Sequence, residues 1–345
     1  MAVTVSKFGE LDGENVNAYT MRNKHGIEVT CIDYGCTITK LLTPDANGKL
    51  ENIVLGFDDL ESYLQHSQYF GAVIGRVAGR IKDGQFDLDG KVYRLAQNED
   101  DKHIHGGERG FDKVIWQADI EETEEEATVV FTYHSPDGEE GYPGNLEMTV
   151  KYILTDDNAF VIEYHGVSDQ RTLLNVTNHS YFNLSGNIKT DILDHELTLG
   201  SRHYLELTDK FLPTGEKLEV SGTPFDFRQG RKIRDGVTST LEQNKLVGNG
   251  YDHPFLLDEA DKQIVLSDPT SGRKMTMETT EPCVVLYTGN KISDELIIRD
   301  VQGKKYVGLC LETQGVPDAV HHPQFPSVVL EKGDVYRSRT VYTFN

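Results

Sequence analysis

The segment at residues 146–154, LEMTVKYIL, places Leu146, Met148, Val150 and Tyr152 on one face of an extended chain and Glu147, Thr149 and Lys151 on the other. Successive side chains of a strand point to opposite faces, so this period of two marks a half-buried strand. Similar signals recur along the chain: ATVVFTYH, AFVIEYHGV, HELTLGS, CVVLYTGN, YVGLCLET and RTVYTFN are short runs rich in β-branched and aromatic residues. Between the strand signals, DANGK, DLDGK and SPDGEEGYPGN supply the Gly, Asn, Asp and Pro of turns. Helical signals are confined to DLESYLQH and part of RDGVTSTLEQNKL. No Pro- or Gly-rich linker cuts the 345 residues, and no fixed-period repeat is present. Sheets of this kind bury their apolar faces against one another. The expected fold is all-β, one large single-domain antiparallel β-sandwich over residues 1–345.

The charge balance narrows the partners. There are 34 basic and 56 acidic residues, a formal net charge of −22, with much of the excess in EETEEE and DGEEG. Nucleic acids and anionic membranes need clustered Lys and Arg, so neither is expected as a partner. The start MAVTVSKFGE has no apolar signal core, and no apolar run approaches membrane-spanning length. Four cysteines, Cys31, Cys36, Cys283 and Cys310, make no disulfide framework in so long a chain. A reducing cytoplasm is the expected location.

Several familiar sites are missing. No GxGxxG, P-loop or GxSxG pattern occurs, and the glycines of GAVIGRVAGR have the wrong spacing for a phosphate loop. The pair His103 and His105 in HIH offers two metal-ligand atoms, but no Cys/His cluster completes the set, so neither metal nor cofactor is expected. In TNHSYFNL, read as one strand, Asn175, Thr177, His179, Tyr181 and Asn183 share a polar row, while Val176, Ser180, Phe182 and Leu184 face the other way with Asn178 among them. In YVGLCLETQG, Glu312 closes a nearly apolar strand. Desolvation raises a carboxyl pKa toward neutrality, which suits a general base; an ion pair with an arginine is the structural alternative. Arg76 and Arg80 in GRVAGRI sit among small apolar residues and each needs an acceptor. Asp252 in GNGYDHPF reads equally as a turn residue or a ligand contact. The glycines after His105 fit either a close approach to a ligand or a simple turn.

Taken in order, GRVAGRI, HGGERGFDK, TNHSYFNLSG, GYDHPF, YTGN and LETQGVPDAVHHPQFP give the chain a resemblance, over essentially its whole length, to the galactose mutarotase (aldose 1-epimerase) family. The resemblance implies that family's large β-sandwich, and an isomerase that interconverts the α and β anomers of galactose, glucose and related aldoses without cofactor or metal. It implies Glu312 as general base and His179 as general acid, with Arg80, His105 and Asp252 holding the sugar. Tyr181 shares the face of His179 and is expected to line the same groove. Many relatives carry Asn where this chain has Gly79, and Gln where it has Val285, which bears on the sugar preferred. A monosaccharide is the expected partner, and the chain is expected to be a monomer or homodimer. A sugar-binding protein without turnover and a hexose-6-phosphate epimerase remain as alternatives; the latter calls for further Arg or Lys around the phosphate. The acid and base together imply a bell-shaped pH–rate profile, its acid limb from the carboxyl and its alkaline limb from the imidazole.

Overall fold

The computed structural model describes residues 1–66, 68–258 and 263–345. Three antiparallel sheets dominate. The largest has nine strands in the order Gln117–Glu122, Glu126–Ser135, Leu146–Thr155, Ala159–Ser168, Val335–Phe344, Lys274–Thr279, Gln263–Ser267, Glu196–Leu199 and Arg231–Lys232. A second runs Tyr181–Phe182, Leu309–Gln314, Cys283–Tyr287, Asp252–Leu256, His203–Leu207 and Pro213–Glu219. The N-terminal five strands, from Ala2–Leu11 to Leu50–Asn52, form the third. The helices foreseen in the sequence are short, at Leu60–Gln65, Arg234–Val237 and Glu242–Leu246. No helix among the described residues is long and apolar enough to cross a membrane.

The period of two does what it promised. Leu146, Met148, Val150 and Tyr152 are buried and Glu147 is exposed. They join one apolar cluster with Val29 and Ile38 of the N-terminal sheet and Leu286, Leu309 and Leu311 of the six-stranded sheet. Burying such a side chain is worth about 1.5–3 kcal/mol, so packing between sheets is what holds the layers together. All four cysteines are buried free thiols.

TNHSYFNL is not one strand. Thr177–Asn178 pairs with Val73–Ile74, while Tyr181–Phe182 pairs with Leu309–Gln314 in a different sheet. The break is made by Asn178, whose Oδ1 accepts from Ser180 N at 3.1 Å and Ser180 Oγ at 2.6 Å while its Nδ2 donates to Gly71 O at 2.9 Å. An Asn side chain that bonds the backbone two residues on makes a turn of its own and ends a ladder. His179 N then donates to Ala72 O, and His179 O accepts from Gly71 N. The residue is thus fixed by its backbone between two sheets. The two asparagines of the row are engaged elsewhere: Asn175 bonds the backbone of Gly315, and Asn183 bonds Thr190 O and Val307 O.

Asn178→Ala removes these bonds from a buried site and is expected to cost about 1–3 kcal/mol of unfolding free energy in urea titration. A loss below about 0.5 kcal/mol, within the range of ordinary surface changes, would show that the turn is set by other contacts.

Candidate active site

The register of the six-stranded sheet lays out a floor. Glu312 pairs with Val285, and Val285 with Pro254; one step along, Tyr181, Cys310, Tyr287 and Asp252 are paired in turn. Residues two apart on a strand share a face, so Tyr181, Asp252, Val285, Tyr287, Glu312 and Gln314 project from the same side. All of them line a cleft of about 180 Å³. The alternate residues Leu286, Leu309, Leu311 and Phe255 project into the core.

The wall above this floor comes from Tyr69, Gly79, Arg80, Glu99, His105 and His179. Arg80 Nε and Nη2 donate to the two carboxylate oxygens of Glu99 at 2.5 and 2.9 Å, and Nη1 lies 4.0 Å from Asp252 Oδ2. The fork is bidentate and fixed in direction. Phe211 lies against both cations of the cleft, Arg80 at 5.3 Å and Lys291 at 4.5 Å from its ring centre. Gly79 N donates to His105 Nδ1 at 3.3 Å, which leaves the neutral ring its proton on Nε2. The His105 ring stands edge-on to His179, 5.2 Å between centres.

The centre of the cleft is a pair. His179 Nε2 lies 3.5 Å from Glu312 Oε1, both side chains 5% exposed. Tyr181 and Tyr69 flank the imidazole at 5.1 and 5.7 Å, and Cys310 Sγ sits 3.5 Å from its Nδ1. Burial disfavours charge on each member. It pushes Glu312 up to about 8, with Asp252 adding repulsion and Arg80 opposing it. It pulls His179 down to about 4. His105 is driven well below its ordinary value, first by burial and then by repulsion from His179. At neutral pH the pair therefore holds one proton, and burial places it on the carboxyl.

Every residue singled out in the sequence for this site, namely Glu312, His179, Arg80, His105, Asp252, Tyr181 and Gly79, lines this cleft. Two look-alikes do not. Arg76 is buried elsewhere, donating to Ser135 Oγ and to the carbonyls of Ser135, Pro136, Pro143 and Gly144. His103 bonds Ala96 O and the Tyr142 hydroxyl, so HIH is no metal pair. The turn reading holds at Gly106, where a Cβ would fall 1.8 Å from Gly75 O. Among the described residues, the trio that offers metal-ligand atoms near one another is instead His105, His179 and Glu312, within 4.8 Å. Sequence reasoning missed Glu99, Tyr287, Lys291 and Gln314. For Gln314 a signal existed, since it lies two places after Glu312 and so on its face.

The family profile described as Aldose 1-epimerase matches residues 17–343. The chain belongs to the aldose 1-epimerase family. It is 41% identical over 353 residues to the galactose mutarotase of Rattus norvegicus, covering 100% of this chain and 99% of that protein. It is 34% identical to the aldose 1-epimerase of Escherichia coli strain K12, with 96% of each covered. Among solved structures, the galactose 1-epimerase of Lactobacillus acidophilus NCFM superposes with a TM-score of 0.90 at 31% identity, over 100% of this chain and 98% of that one. An aldose epimerase homologue from C. elegans gives 0.85 at 29%, over 94% and 98%. The all-β sandwich expected from the strand pattern is thus the fold of this epimerase family.

Proposed function

We propose that this aldose 1-epimerase family member interconverts the α and β anomers of galactose, glucose and related aldoses, with Glu312 as base and His179 as acid. The observation that carries the reading is the buried pair at 3.5 Å, on a floor that also brings sugar-binding groups together. Arg80 and Asp252 supply donors and acceptors for ring hydroxyls, His105 a donor at Nε2, and Tyr69, Tyr181 and Tyr287 apolar surface for C–H faces. The four free buried thiols suit the reducing cytoplasm in which we place the activity.

Transfer of the shared proton from Glu312 to His179 gives carboxylate and imidazolium without changing the net charge, and Arg80 favours that form by stabilising the carboxylate. Glu312 then accepts the O1 proton. The electron pair left on O1 forms the C1=O bond, the C1–O5 bond breaks, and O5 takes its proton from His179. Rotation about C1–C2 presents the other face of the aldehyde, and the reverse transfers close the ring. Acid and base are each typically worth about 10²–10⁴-fold, and holding them at the anomeric centre adds more. Ring opening leaves Glu312 protonated and His179 neutral. Burial favours that charge state, so the site stabilises the open-chain intermediate relative to the carboxylate–imidazolium form from which the ring opens.

Glu312→Gln keeps the shape and removes the base. Polarimetry on fresh α-glucose is expected to show a fall in kcat of about 10²–10⁴-fold or more with sugar affinity largely kept. Activity within tenfold of the parent would mean another base. Because side chains supply both proton transfers, protein treated with EDTA and desalted is expected to equilibrate anomers as fast as untreated protein. A loss restored by zinc would instead give His105, His179 and Glu312 the role of metal ligands.

A further inference from the structure

Gln314 is 1% exposed, yet neither its Oε1 nor its Nε2 has a hydrogen-bond partner among the described residues. Buried amides are ordinarily satisfied, and leaving one unmet destabilises the fold. The neighbouring amide shows the usual solution: Asn175 accepts from Gly315 N at 2.7 Å and donates to Gly315 O at 3.1 Å. Gln314 does neither, and its side chain lies in the wall of the cleft.

Its surroundings explain what the amide is for. It follows Glu312 by two residues on the strand Leu309–Gln314 and so shares its face. Its cross-strand partner is Cys283, and that of Glu312 is Val285, neither of which offers an amide. Opposite stands Gly79, where a Cβ would lie 3.6 Å from Gln314 Nε2. Gln314 Nε2 thus faces the space left beside Gly79 in the cleft.

We infer that Gln314 is a substrate-binding residue, whose unpartnered amide exchanges hydrogen bonds with one hydroxyl of the bound aldose. The inference rests on the aldose reading above. An amide both donates and accepts, which matches a sugar hydroxyl, and a site built to bond a hydroxyl discriminates against the analogue that lacks it. Being uncharged, the amide leaves the proton shared by Glu312 and His179 undisturbed.

The test is Gln314→Leu, similar in size and without the amide, or Gln314→Met should the leucine form not fold. The expected result is a KM for the parent's best aldose raised about tenfold or more, with kcat within about threefold. The pH limbs should stay in place. The melting temperature should be unchanged or higher, because an unmet amide has left the interior. In a series of monodeoxy sugars, one member should show the same KM with parent and variant, and it names the hydroxyl. A KM within twofold of the parent, or a lowered melting temperature with unchanged KM, would overturn the inference and make Gln314 structural. Calorimetric titration with the same sugars separates the two readings. A parent that binds but does not turn over sinks the enzyme assignment alone, while equal affinities of parent and variant sink the role of Gln314 alone.

Discussion

Everything in this structure turns on keeping two ionisable side chains dry and in contact. Glu312 and His179 are opposed in their natural charge, and burial moves each toward neutrality, the carboxyl up and the imidazole down. In water the same groups would form an ordinary ion pair near neutral pH. Inside the cleft they share one proton, which burial rests on the carboxyl and which passes to the imidazole to free the base. That is what a reversible ring opening needs, since each half of the cycle moves a proton in each direction and ends where it began.

The fold serves that pair at several distances. Tyr69, Tyr181, His105 and Cys310 surround the imidazole. The Asn178 turn sets its backbone, and the paired strands set Glu312 against Val285. Farther out, the guanidinium of Arg76 gathers four carbonyls of residues 135–144, the loop beside the strand Leu146–Thr155. Glu99 fixes Arg80 so that one edge of its guanidinium remains directed at Asp252. The polar groups proposed to meet the sugar are therefore already ordered without it, and little binding energy is lost in arranging them.

What could be read in the sequence was what is local. The strands declared themselves because a period of two needs no partner to be visible, and Glu312 stood out because an acid ending an apolar strand is locally anomalous. His179 was found on its row, but the break beside it was hidden, since it depends on Asn178 reaching Gly71, more than a hundred residues away. Arg76 and Arg80 look alike in GRVAGRI; only the distant elements that face them, backbone carbonyls for one and Glu99 with Asp252 for the other, make one structural and one a cleft residue. Glu99 sits in an acidic run that reads as solvated charge. Lys291 and Tyr287 are brought to the cleft by strand register and by the packing of Phe211, which no single segment encodes. The limbs of the pH profile were assigned by analogy with free side chains. Burial acts against that assignment, because it pushes the carboxyl up and pulls the imidazole down.

The shared proton is the central claim, and the pH dependence of kcat/KM for the free enzyme tests it most directly. With two protons on the pair there is no base; with none there is no acid. The rate, corrected for the uncatalysed reaction, should therefore form a bell that falls below about 4 and above about 8, the two values belonging to the coupled pair. In His179→Asn the carboxyl has no imidazole to take its proton, so the small residual rate should rise as Glu312 ionises, and the alkaline fall should be lost. A parent rate that keeps rising through the alkaline range, or an alkaline fall that survives in His179→Asn, would contradict the account.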